Sequence, residues 1–138
     1  TKSGLVDTYV YPPIPMATDE SNAVASMIST DNYSSLVGIE GASTDNGFVI
    51  LDVLDATQQP VGGATVATSP ASGETYYMDM NDQPFGTSGT NTDGLAFVFD
   101  VPPSGAVTVQ ATKSGMTFAT HAVKARGGTL TTTLVLAQ

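Results

Sequence analysis

The strongest constraint on this chain is a two-residue alternation in short apolar runs, each ended by Gly, Pro or Asp. It begins at Gly47. "GFVILDVLD" (47–55) is apolar on both faces, as a central strand covered on both sides would be. "QQPVGG" (58–63) is a turn cluster, and "ATVATS" (64–69) alternates again. "PASGE" breaks the chain, and "TYYMDM" (75–80) reads as an edge strand. A polar loop, "NDQPFGTSGTNTDG" (81–94), follows. "LAFVFDV" (95–101) sets Leu95, Phe97, Phe99 and Val101 on one face, with the two Phe residues filling a sandwich core. "PPSG" leads to "AVTVQAT" (106–112), then "KSG", then a strand over "MTFATHAVKA" (116–125). "RGG" leads to "TLTTTLVLA" (129–137), where Leu130, Thr132, Leu134 and Leu136 share a side. Short strands with such turns predict an all-β fold: an antiparallel β-sandwich of about seven strands over residues 47–138. Gly94 and Gly105 fall where hairpins need positive φ.

Residues 1–46 are of a different kind and form an N-terminal extension. "GLVDTYVY" (4–11) has the composition of a strand, and "PPIP" (12–15) makes a stiff extended spacer behind it. In "TDESNAVASMIST" (18–30), Ala23, Val24, Met27 and Ile28 recur at helical spacing, with Asp19 as cap and Glu20 in the first turn. A short helix is expected at about 19–29, and "SSLVGIEG" (34–41) reads as a small strand.

Composition narrows the function classes. Thirteen acidic residues against four basic give a formal net charge of -9. So few Lys and Arg argue against nucleic acid and against anionic membrane surfaces. Charged residues make up 12% of the chain, so Ser, Thr, Asn and Gly dominate the surface, as suits an extracellular or cell-surface setting. The absence of cysteine excludes disulfides and thiolate metal sites. No apolar run is long enough to span a membrane as a helix. No leader pattern is present either, so an exported protein would carry Thr1 as its mature end after signal-peptide removal. Asn32-Tyr33-Ser34 fits the glycosylation sequon, which makes Asn32 a candidate glycan acceptor.

The stretch from Gly47 to Leu136 resembles the carboxypeptidase regulatory-like domain family, a transthyretin-like (prealbumin-like) β-sandwich. The likeness rests first on Pro60, Val61, Gly63, Ala64 and Val66. It rests next on Thr92, Asp93, Gly94, Phe99, Val101, Pro102, Gly105, Thr108, Val109, Ala111 and Gly115. The Asp-Gly turn is one residue shorter than the family's, and Val107 stands where Tyr is common. The resemblance implies a non-catalytic module of an exported protein.

Sites of chemistry are few. His121 is the only histidine, in opposite phase to Met116 and Phe118, and reads as a surface or edge residue. The intradiol dioxygenases, a related sandwich, hold iron with two Tyr and two His, and one His cannot supply that set. No Gly-x-Ser-x-Gly elbow is present. No cofactor is expected, with Ca²⁺ as the one candidate. Its hard-oxygen ligands would be Asp79, Asn81, Asp82 and Asp93, which are equally ordinary turn formers. Asp52 and Asp55 read as solvent-facing and turn residues. Tyr76 and Tyr77 are candidates for surface recognition of a protein or glycan.

The first strand points to self-association. Leu5, Val6, Tyr9, Val10 and Tyr11 can pair with a sheet edge, in their own domain or in the next molecule. Exchange between molecules is heterologous and builds a filament unless a ring forms. The expectation is therefore a non-enzymatic structural protein whose main partner is itself. The alternative is a monomeric binding or accessory module that recognises a cell-surface protein or a glycan.

Overall fold

The computed structural model describes residues 3–13, 27–39, 41–79, 81, 83–84, 86–103 and 105–138. They form an all-β sandwich with one short helix. The elements are β1 (Thr8–Tyr11), α1 (Thr30–Ile39), β2 (Gly47–Leu54), β3 (Thr65–Ser69), β4 (Thr75–Tyr77), β5 (Leu95–Val101), β6 (Val107–Thr112), β7 (His121–Val123) and β8 (Leu130–Leu136). The five-stranded sheet has the order β1-β8-β2-β5-β4, and the three-stranded sheet has the order β3-β6-β7.

The larger sheet is buried on both faces, which explains the doubly apolar β2. Val49, Leu51 and Val53 of β2, with Ala96 and Val98 of β5, face Val66, Val107, Val109, Ala111 and Val123 of the smaller sheet. Phe48, Phe97, Phe99 and Leu130 form a second cluster with Tyr33 and Val37 of α1 and with Val6. Phe48 and Phe99 stack 4.5 Å apart, and Tyr76 meets Phe99 edge-on at 5.9 Å. Phe97 and Phe99 therefore fill the layer between sheet and helix, not the layer between the two sheets. Val101 also leaves their face and joins the inter-sheet core. The cause is a register shift at Gly47/Val49, opposite the end of β5, where Asp100 has φ 54°. Asp100 is fixed there because its Oδ1 accepts the Ser43 N–H at 2.7 Å and the Asn46 amide at 3.2 Å.

Most strand pairs are antiparallel, as expected, and one strand departs from the pattern. β2/β5, β4/β5, β3/β6 and β6/β7 are antiparallel, but β8 runs parallel to both β1 and β2. Parallel neighbours need a crossover, and the chain reaches β8 from the other sheet. The strand expected over 116–125 is split for the same reason. At 117–119 it bonds to the end of β8, with Ala119 N–H to the Leu136 carbonyl at 3.0 Å and Gln138 N–H to the Thr117 carbonyl at 2.9 Å. Four residues on, His121–Val123 pairs with β6 instead. Such a strand switches sheets and makes a corner of the sandwich.

The extension also differs from expectation. Of the strand expected at 34–41, residues 34–39 are helical, because Tyr33 and Val37 stand one turn apart and join the cluster around Phe48. Ser29 Oγ accepts the Asn32 N–H at 3.1 Å, capping that helix. Of the helix expected at 19–29, residues 19–26 lie outside the described residues. Ser29 bridges antiparallel to Leu5 and is not helical. In the turn before β5, Gly94 has φ 72°, and a Cβ there would lie 2.6 Å from the Val53 carbonyl oxygen.

Candidate functional site: the docked N-terminal strand

β1 lies at an edge of the large sheet, parallel to β8, with Thr8, Tyr9, Val10 and Tyr11 opposite Leu130, Thr131, Thr132 and Thr133. Backbone pairing begins just before it, where Leu130 N–H donates to the Asp7 carbonyl at 3.0 Å. Farther upstream, Val6 N–H donates to the Ile28 carbonyl and Thr30 N–H to the Gly4 carbonyl, each at 3.1 Å. Residues 4–6 are thus held against the start of α1, and 8–11 against β8.

Side chains add a second set of attachments. Val6 is 8% exposed and packs in the cluster beneath α1. Arg126, in the turn before β8, places its guanidinium carbon 3.8 Å from the centre of the Tyr9 ring. The same guanidinium donates to the Tyr11 hydroxyl at 3.1 Å and to the Lys124 carbonyl at 3.3 Å. Thr133 Oγ1 donates to the Tyr11 carbonyl at 2.8 Å. Arg126 is itself held by Thr129, whose hydroxyl donates to the Arg126 carbonyl at 2.9 Å. His121 lies nearby, half-buried. Burial pushes its pKa below the ordinary value, and the adjacent Tyr11 carbonyl offsets part of that shift.

The residues expected to self-associate divide by exposure. Val6 is buried, and Leu5 and Tyr11 are half-buried. Tyr9 and Val10 are exposed, at 37% and 46%. Arg126 and Thr133 were not singled out by sequence reasoning. The available signal was that Arg126 is the single arginine of a chain with five tyrosines, a pairing that often stacks.

Elsewhere, the expected sites separate. Tyr77 is not a surface residue: it is 3% exposed. Its hydroxyl accepts the Val66 N–H at 2.8 Å, which ties β4 of one sheet to β3 of the other. The reason is alternation, since Tyr76 and Tyr77 must point to opposite faces. Tyr76 packs on Phe99, and its hydroxyl bonds to Glu74. Asp79 spends its carboxylate on its own loop, accepting N–H groups from Asn81 at 2.7 Å and Gln83 at 2.9 Å. Those bonds hold its pKa below the usual carboxylate range. Asp93 accepts the Leu95 N–H at 2.9 Å, and Asp82 lies outside the described residues. Among the described residues no three His, Asp or Glu side chains come together as a metal would require. Asp52 is half-buried, and burial with nearby Asp93 pushes its pKa up. Asn32 is exposed on α1. No helix of the described residues is long and apolar enough to cross a membrane.

A cleft of about 420 Å³ opens between Met78, Asp79, Asn81, Gly86, Thr90 and Asn91. Its polar groups are largely engaged. Thr90 Oγ1 accepts the Ala64 N–H at 2.9 Å and donates to the Val61 carbonyl at 2.6 Å. Asn91 donates to the Asp79 carbonyl at 3.4 Å.

No family model and no curated protein matches the sequence. Among solved structures, the chain is similar to part of the Bacillus anthracis TIE protein, with 15% identity and a TM-score of 0.46 over 67% of this chain. It is similar also to part of the major pilin subunit of Bacillus cereus, with 16% identity and a TM-score of 0.45 over 67% of this chain. The likeness spans 16% and 28% of those two chains, respectively.

Proposed function

We propose that this chain is a non-enzymatic, exported structural subunit that self-associates through its N-terminal strand, outside the cell or on its surface. One observation carries the reading. β1 is an edge strand whose attachments lie on β8, the β7–β8 turn, His121 of β7 and the segment leading into α1, and each of these exists in every copy. A second copy can therefore offer β1 an identical seat, which is the condition for exchange between molecules. Head-to-tail exchange of this kind is heterologous, and it extends into a filament unless its rotation closes a ring. The low share of charged residues, 12%, is compatible with dense packing of copies once their net negative charge is screened.

The cleft beside Asp79 and Thr90 supports a second reading, a monomeric module that recognises a glycan. It is the weaker of the two because the Asp79 and Thr90 side chains are already satisfied by the protein's own backbone. Negative-stain electron microscopy of the purified chain at micromolar concentration tests the assembly reading. Uniform filaments are expected. A field of small dispersed particles at every concentration and salt tried would sink it.

A further inference from the structure

We infer that His121 is an acid-sensitive latch on the N-terminal strand: when its imidazole takes up a proton, residues 8–11 lift from β8 while the rest of the sandwich stays folded. The inference needs only the docked strand and is independent of assembly between copies.

The latch joins two sheet edges. β1 is an outer strand of the five-stranded sheet, and β7, which carries His121, is an outer strand of the three-stranded sheet. The two edges meet where the Tyr11 carbonyl adjoins the His121 ring. Thr133 Oγ1 donates to the same carbonyl at 2.8 Å, so one backbone oxygen of β1 serves both β8 and the histidine. The Nε2 atom of His121 is sealed from solvent and has no hydrogen-bond partner. A neutral imidazole leaves one nitrogen unpaired there. An imidazolium carries two N–H donors and a full charge, and burying these without an acceptor costs far more.

The surroundings do not compensate for that charge. β6 and β8, packed against β7, carry no titratable side chain, and neither does the stretch 116–120. β1 brings Tyr9 and Tyr11, both engaged by Arg126. The chain after β7 brings Lys124 and Arg126, both cations. Asp7, which directly precedes β1, is exposed and has no part in the balance at His121, where burial dominates. Lifting β1 relieves the cost, because water then reaches the ring. β1 is also the element most easily given up: it is four residues long, paired on one side only, and gripped by Arg126 through a partly exposed contact. The state that binds the proton more readily gains as pH falls, so acid shifts the docked strand towards the undocked one.

Amide hydrogen exchange of the full chain, corrected for the intrinsic pH dependence of exchange, tests this at about pH 7.5 and about pH 5, on either side of the ordinary histidine value of about 6.5. Protection at residues 8–11 is expected to fall several-fold on acidification, with β2 unchanged. His121→Gln, uncharged at both pH values, should keep its protection. A second measurement on the parent holds even if that variant fails to fold. His121 is the single histidine, so its ring proton resonances report its titration directly. They should move with the same midpoint as the loss of protection at 8–11. Loss that persists in His121→Gln, spreads equally to β2, or has a midpoint different from that of the ring would overturn the inference. Unchanged protection of 8–11 in the parent would overturn it too.

Discussion

The guanidinium carbon of Arg126 stands 3.8 Å from the centre of the Tyr9 ring, so the turn before the last strand grips the first strand of the chain. The same group reaches the Tyr11 hydroxyl. Replacing Arg126 with Ala removes a partly exposed cation–π contact, about 0.5–1 kcal/mol, and a hydrogen bond of similar size. The loss should be local. Amide hydrogen exchange is expected to speed up at Tyr9–Tyr11 and along β8, with the β2/β5 centre unchanged. Uniform acceleration across the sheet would mean that Arg126 supports the whole fold and not the strand alone.

Tyr77 and Thr131 make opposite predictions from the same principle. The Tyr77 hydroxyl is the acceptor for the Val66 N–H inside the sandwich. Tyr77→Phe leaves that donor buried and unpaired, costing about 1–3 kcal/mol. Thr131 is fully buried, and its hydroxyl has no hydrogen-bond partner among the described residues. Thr131→Val keeps the shape and removes a buried polar group, so it should be neutral or stabilising by about 1 kcal/mol. Urea unfolding of the two variants checks both signs against the parent.

Much of this was legible in the chain itself, for identifiable reasons. β2 alternates two apolar sets, and the structure covers both of its faces. Punctuation by Gly and Pro placed the strand ends, because positive φ at Gly94 and the ring constraint at Pro102 act locally. What failed depended on distant partners. Asp100 sits at φ 54° because Ser43 and Asn46 hold its carboxylate, and only that shift moves Val101 away from Phe99. Residues 34–39 have an apolar pattern short enough to suit strand or helix, and packing on Phe48 selects helix. Tyr77 looked like surface because Tyr76 and Tyr77 are adjacent, yet alternation buries one of any such pair. Arg126 sits in a Gly-rich turn whose local sequence carries no sign of the first strand it holds.

Stability should change with pH in two separate windows. His121 has a folded pKa below its ordinary value of 6.5, with burial as the main cause. The unfolded chain then binds the proton more readily, so stability falls as pH drops through that value towards the folded pKa. Asp52 has a folded pKa above its ordinary value of 3.8, through burial and then Asp93. Its charged form is penalised in the fold at neutral pH, and the penalty is relieved as pH falls through the folded pKa towards 3.8. Asp52→Asn should therefore raise Tm at pH 7, with the gain over the parent shrinking towards pH 4. His121→Gln should flatten the parent's loss between pH 7 and pH 5 and leave the Asp52 window untouched. Thermal unfolding from pH 4 to pH 8 reads both, and a gain from Asp52→Asn that grows on acidification would refute the assignment.

Salt should favour assembly. Each copy carries a net charge of -9, so copies repel one another before any strand is exchanged. The contacts that hold β1 are backbone pairing, an apolar anchor at Val6 and the short-range Arg126 cluster. Ionic strength weakens these far less than it weakens long-range repulsion. The screening length contracts from about 30 Å at 0.01 M salt to about 8 Å at 0.15 M. The protein concentration at which filaments first appear should then fall by roughly tenfold over that range, equivalent to about 1.4 kcal/mol per added copy. Sedimentation of assembled protein across a salt series measures it. Assembly that dissolves as salt rises would show that attraction between charged groups holds the copies together, and strand exchange at β8 would not be its basis.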